Sequence, residues 1–201
     1  MGITIYGPRR SMAARCYWIL EETGASYAAC TGTENDAALR AACEALVGAF
    51  QVPVLEDADA GVVLCESHAI NYYLARRLAP ELLGSGAGEE SQALRWAFWT
   101  ASKLDEPARA INDLPSSERA GALDRASDVL GAAITELERA LAQGPFIVGE
   151  TFSLADIAVG SAVGSLMVAG YTIESAPVAN WMGALFSRPA AAKLMSQLEP
   201  D

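Results

Sequence analysis

Apolar and polar positions alternate over Ile3-Thr4-Ile5-Tyr6 and the alternation stops at Gly7-Pro8, which predicts a short strand and a turn. The period then lengthens. SMAARCYWILEETG carries its apolar residues at helical spacing, with Ser11 as the expected N-cap and Gly24 where the helix should end. Residues 25–33, ASYAACTGT, predict a second strand, and NDAALRAACEALVG predicts a helix capped by Asn35 or Asp36. VPVLED and VVLCE flank Ala58-Asp59-Ala60-Gly61, the pattern of a hairpin with a four-residue loop. SHAINYYLARRLAP predicts a helix stopped by Pro80. The order is βαβαββα, and the hairpin makes the sheet mixed rather than all parallel.

Beyond residue 79 no strand pattern appears. Gly84, Gly86 and Gly88 make 80–88 a linker. ESQALRWAFWTASKLDEPARAI predicts a helix bent at Pro107. The next helix is marked by Leu123, Leu130, Ile134, Leu137 and Leu141 at helical spacing and is closed by Gly144-Pro145. Another spans roughly 154–169, and shorter ones follow Pro177 and Pro189. The expected organisation is an α/β domain over 1–79, the linker over 80–88 and an all-helical domain over 89–201.

Composition narrows the function classes. Hydrophobic residues make up 52% and charged residues 19%, enough apolar content for a core and too much for disorder. A formal charge of −11 argues against nucleic acid as a partner, because phosphate binding needs clustered cations. No apolar run approaches the ~18 residues of a membrane span, and MGITIYGPRR lacks the basic-then-apolar order of a signal peptide. Cys16, Cys30, Cys43 and Cys65 form no C-x-x-C pair and no metal-like cluster with His68. Free thiols, no metal and a cytoplasmic location are the expectation.

Three sites carry candidate chemistry. Ser153 and Asp156 have the spacing of a capping box, with Phe152 and Ile157 at the staple positions, so Asp156 reads as structural and its loss should cost about 1 kcal/mol or more. Glu66-Ser67 opens a helix, where unpaired N–H groups and the dipole attract carboxylates. On the residues alone, Ser67 and Ser11 are each either caps or ligand donors.

The combination of these elements resembles the glutathione transferase superfamily. ITIYGPRRSMAAR…WILEETG and QVPVLEDADAGVVLCESHAINYYLA carry the likeness in the first half, and GPFIVGETFSLADIAVGSAV with PVANWMGALFSRPA carries it in the second. The resemblance implies a thioredoxin-like N-terminal domain that binds glutathione as co-substrate, and a helical domain that shapes the site for a small hydrophobic electrophile. It implies a cis bond before Pro53, which turns the Val52 backbone toward the cysteinyl part of the tripeptide. It implies that Gln51 helps hold the ligand, that Ser67 takes the γ-glutamyl carboxylate and that Glu66 faces the ammonium. It assigns Ser11 the catalytic role: its hydroxyl donates to the glutathione sulfur and favours thiolate, with no nucleophilic attack by the serine itself. A cytosolic homodimer, with glutathione-dependent peroxidase chemistry as a side activity, is the implied form.

The first rival for the catalytic role is Tyr6, which ends the first strand; its alternation with Ile3 and Ile5 favours a place on the sheet. Cys16 lies more than a turn inside its helix, which argues against disulfide exchange. Arg10 and Arg9 form a basic turn beside Ser11, read either as solvated or as charge for a ligand carboxylate. The basic turn also lets Arg9 select an acidic second substrate, the resemblance places Trp99 and Lys103 on a helix that faces the second-substrate cleft, and His68 reads as incidental. LVGAF stands where the family often has Asn-Pro and Gly, so no residue is assigned to the glycyl end. Two other functions remain. One is a non-catalytic binding or assembly module, since ESHAINYYLA resembles the transferase-like domain of elongation factor gamma subunits; the other is a glutathione-dependent isomerase, whose serine-cysteine-rich start is missing.

Overall fold

A computed structural model describes residues 2–33 and 35–197. β1 (Ile3–Tyr6), α1 (Ala14–Thr23), β2 (Ala28–Cys30), α2 (Ala37–Val47), β3 (Val54–Asp57), β4 (Val62–Cys65) and α3 (Ser67–Leu78) follow the predicted βαβαββα order. The sheet runs β2-β1-β3-β4. β1 and β2 are parallel, which requires the α1 crossover, while β3 is antiparallel to β1 and to β4. Ile5, Val54 and Leu55 on the two central strands are fully buried. The Val52–Pro53 peptide bond is cis.

The local predictions hold where short-range chemistry decides. Asp36 caps α2 by accepting from the amides of Ala38 and Leu39, and Gly24 ends α1 in the left-handed region at φ 64°. Ser11 is a correction. Helix α1 begins at Ala14, and Ser11 heads the turn before it: its carbonyl accepts from the Ala14 amide and its hydroxyl oxygen from the Ala13 amide.

Six consecutive residues of α1, Arg15 to Leu20, are buried. One helical face cannot bury six in a row, so a second layer must cover α1. That layer is α9 (Pro189–Ser196): the chain divides into one unit comprising residues up to Pro80 together with those from Arg188, and a second of Glu81–Ser187. The last helix thus groups with the first unit, whereas the pattern alone placed it in 89–201.

Ion pairs hold α9 in place. Arg188 Nε and Nη2 each donate to the Glu22 carboxylate at 2.8 Å, Trp18 Nε1 donates to the same group at 3.0 Å, and Lys193 donates to Glu21. Burial pushes the Glu21 carboxyl up, but the bonds from Lys193 and Tyr27 outweigh it and leave it below 4.5. A depressed carboxyl stabilises the fold above its unfolded value, so this contribution is present at neutral pH and fades on acidification below about 4.5. Arg188→Ala leaves the nearly buried Glu22 without its forked partner and is expected to cost about 2 kcal/mol, less than a fully buried pair because Arg188 is partly exposed. Urea unfolding checks this; an unchanged midpoint would remove the clamp from the account.

The second unit contains α4 (Ala87–Thr100), a π-helical segment Ala101–Asp105, α5 (Glu106–Asn112), α6 (Ser116–Leu141), α7 (Leu154–Val168) and α8 (Ala176–Phe186). In place of the bend predicted at Pro107, a π segment lies just before it and Pro107 sits in the first turn of α5, where proline's missing N–H is tolerated. A 3-10 turn, Pro80–Leu83, buries Leu82 and Leu83 within the stretch expected as linker, and α4 takes in Gly88. On α6 the buried stripe is Ala122, Leu130, Ala133 and Leu137, with Leu123, Ile134 and Leu141 half-buried at its rim.

Candidate active site

The strand register brings the candidate residues of the first unit to one place. Cys30, Tyr6, Val54 and Cys65 are successive partners across the sheet and form its last row. β1 ends at that row, β3 begins there and β4 ends there. The Ser11 turn, the Val52–Pro53 segment and the Glu66–Ser67 corner therefore all leave from the same edge. Gly7 brings the first two together: a Cβ on it would lie 3.1 Å from Ala13 Cβ and 3.2 Å from Val52 Cβ, so only glycine fits its close approach at φ 148°.

Each segment is held by its own chemistry. Phe50, Val52 and Tyr6 pack on the cluster of Leu39, Cys43 and Val54, and the Arg40 guanidinium lies 4.1 Å over the Phe50 ring, which fixes the approach to Gln51. Gln51 and Val52 are half-buried and Pro53 is buried. Among the described residues, the amide and carbonyl of Val52 take no part in a backbone hydrogen bond, because the ladder starts at Val54. Glu66 has φ 70°, in the left-handed region that non-glycine residues adopt only at a cost of about 1–3 kcal/mol. Its side chain is exposed and does not cap α3, and Ser67, 6% exposed, is the first helical residue rather than the cap.

The Ser11 hydroxyl donates to the Pro8 carbonyl at 2.7 Å. Tyr6 donates to Glu56 at 2.8 Å, and burial, then Glu56, pushes its phenol up to about 12. Its proton is thus committed away from any ligand. Tyr6→Phe is expected to cost about 1 kcal/mol or less of stability and to leave conjugation rates unchanged; a rate collapse in that variant would return Tyr6 to the catalytic role. Cys16 is fully buried and its thiol is pushed up to about 12 by burial, so it stays protonated.

Other candidates lie elsewhere. Arg9 stacks 4.3 Å over the Tyr17 ring and lines a cleft of about 480 Å³ with Glu21, Tyr27 and Lys193. Its charge serves that cluster. Arg10 is exposed on the turn. Trp99 is 9% exposed, packs edge-on against Trp96 at 4.9 Å and donates to Glu136 at 2.8 Å, so the indole serves an interior contact rather than offering a face to substrate. Lys103 is exposed on the π segment and Phe98 is 71% exposed. His68, expected to be incidental, accepts from Arg15, a contact with no local signature because 53 positions separate the two. Among the described residues no group of three or more His, Cys, Asp or Glu side chains is arranged to hold a metal, and no helix is long and apolar enough to cross a membrane.

Comparison with known proteins agrees with this layout. The model of the glutathione S-transferase N-terminal domain matches residues 1–76, and that of the C-terminal domain matches residues 120–187. Glutathione S-transferase 4 of Zea mays is 30% identical, over 96% of this chain and 91% of its own length. GstB of Escherichia coli K12 is 27% identical, over 72% of this chain and 73% of its own. Among solved structures, the theta class glutathione S-transferase of Xanthomonas axonopodis pv. citri with glutathione bound superposes with a TM-score of 0.77 at 30% identity, covering 96% of this chain and 97% of that one. Maize glutathione S-transferase I with an atrazine glutathione conjugate shares the fold at a TM-score of 0.84 and 24% identity, with both chains fully covered.

Proposed function

The chain belongs to the glutathione S-transferase family, and from that premise we propose that it binds glutathione at the last row of its sheet and ionises the thiol for attack on a hydrophobic electrophile. The observation that carries this reading is the meeting of three segments at one sheet edge, each with a group suited to one part of the tripeptide. The unbonded peptide groups of Val52 pair with the cysteinyl backbone, and Gln51 flanks them. The α3 N-terminus and Ser67 receive the γ-glutamyl carboxylate, and the exposed Glu66 carboxylate meets the ammonium. The Ser11 hydroxyl faces the sulfur.

The step is short. The thiol proton leaves to solvent, the thiolate is held by the Ser11 O–H and the positive end of α1, and a C–S bond forms as the electrophile's leaving group departs or its double bond takes up the electron pair. Arg10 adds positive potential on the turn, and Lys103 is the remaining candidate for the second-substrate wall. We place the protein in the cytoplasm as a homodimer; its four free thiols suit a reducing compartment.

Calorimetric titration with glutathione, followed by conjugation assays with an aryl halide and an enone, tests the reading. Binding at millimolar glutathione with turnover of either electrophile is the expected result. Binding without turnover would instead favour a non-catalytic member whose Ser11 stays on Pro8, and no binding would overturn the assignment.

A further inference from the structure

Two helices carry the two ends of the site just described: α1 follows the Ser11 turn and α3 begins at the Glu66–Ser67 corner. A tripeptide that spans both is gripped correctly only while the starts of these helices keep a fixed offset. Buried polar contacts join them at that point. Arg15, 2% exposed, donates from Nη1 to Nε2 of His68. Asn71, 1% exposed, donates from Nδ2 to the Arg15 carbonyl at 3.1 Å. The Cys16 thiol lies 3.7 Å from the Ser67 carbonyl as a weak donor. A guanidinium has donors only, so the ring nitrogen that receives it must be an unprotonated acceptor. In this contact Nε2 is the accepting nitrogen, turned to α1.

The contacts are specific in their placement. Arg15 is the second residue of α1, and His68 follows Ser67 directly. The Ser11 turn is bonded to the start of α1 through the Ala13 and Ala14 amides. A shift of Arg15 against His68 would thus move the serine hydroxyl relative to the γ-glutamyl grip. We propose that His68 is a positioning residue of the thiol-activating site, holding the Ser11 turn in register with Ser67 through Arg15. The inference rests on the function proposed above. It predicts a split effect: the γ-glutamyl end still binds, while the sulfur loses its alignment with Ser11.

The test compares the full chain with His68→Leu, which removes the acceptor, and His68→Gln, whose amide oxygen can stand where Nε2 does. Each folded variant is measured for S-methylglutathione binding, for the ionisation midpoint of bound glutathione by thiolate ultraviolet absorbance, and for kcat/KM. His68→Leu is expected to bind S-methylglutathione like the parent while the thiol midpoint moves to higher pH and kcat/KM falls about tenfold, a moderate loss on the scale of misplacement in positioned reactions. His68→Gln is expected to recover most of both. If His68→Leu fails to fold, His68→Gln against the parent decides: the parental midpoint supports the lock, and a raised one overturns it. An unshifted midpoint in His68→Leu, or equal defects in both variants, also overturns it. If the parent itself binds no glutathione, the functional reading fails and the inference falls with it; if the parent is active and His68→Leu matches it, only the inference falls.

Discussion

Asp156→Ala is expected to lower stability by at least about 3 kcal/mol, several times the cost of an ordinary lost cap. The carboxylate is fully buried at the start of α7 and all its partners are donors. Oδ2 accepts from the Ser153 amide at 2.9 Å and the Ser153 hydroxyl at 3.1 Å; Oδ1 accepts from the Ile147 amide and the Trp181 indole, both at 3.0 Å. The capping box read from Ser153 and Asp156 is therefore half of a larger junction that also holds the loop before α7 and helix α8. Burial raises the carboxyl above 3.8, so desolvation of the ion is a standing cost that the four donors offset only in part. Alanine leaves those donors buried without an acceptor, at about 1–3 kcal/mol each before relaxation. Asp156→Asn is little better, because either flip of the amide turns an NH₂ toward donors. Urea unfolding followed by far-UV circular dichroism and Trp181 fluorescence checks both variants; a loss under about 1 kcal/mol would reduce Asp156 to a simple cap.

Ser11→Ala is expected to raise the ionisation midpoint of bound glutathione by about 0.7 pH unit and to lower conjugation near pH 6.5 roughly fivefold, because the α1 dipole remains. The size follows from what the hydroxyl does before the ligand arrives. It donates to the Pro8 carbonyl, a neutral bond of about 0.5–1.5 kcal/mol, and must exchange that for a charge-assisted bond of about 1.5–3. The net gain is about 1 kcal/mol, to which the α1 dipole adds about 0.3–1. Together these lower the thiol by roughly 1–1.5 units, less than the two units a free choice of donor would give. A pH–rate profile of kcat/KM reads the shift directly. If Ser11→Ala keeps the parental midpoint, the thiolate is stabilised by another group. The variant also loses the acceptor for the Ala13 amide, so its melting temperature should be measured beside the kinetics.

What could be read along the chain was what short-range chemistry controls. Alternation gave β1, β3 and β4, the ADAG loop gave the hairpin, and Asp36, Gly24 and Ser153 marked helix ends because each acts within a few residues of itself. The resemblance then supplied the identities of Ser11, Gln51, Glu66 and Ser67, and the register of the sheet shows that their segments share an edge. Features set by distant partners were illegible. Arg188 and Glu22 are 166 positions apart, and nothing near either announces the other. Arg9 read as a cation beside Ser11 because it is close in sequence, but the Tyr17 ring draws it to the cleft. His68 read as incidental for the same reason: its partner lies on another helix. The start of α1 is not legible locally, because a serine before a helix can cap it or head the turn that leads into it, and the helical φ and ψ of Ala13 distinguish the two.

The discontinuity of the first unit has a consequence for biosynthesis. Domains generally fold in order as they leave the ribosome, at about 5–20 residues per second. Here the βαβαββα segment emerges with one flank of α1 bare, and the helix that covers it is translated only after the whole of Glu81–Ser187. The second unit, Glu81–Ser187, is contiguous and is free to fold during elongation, whereas the first completes its core only once α9 has followed it out of the ribosome.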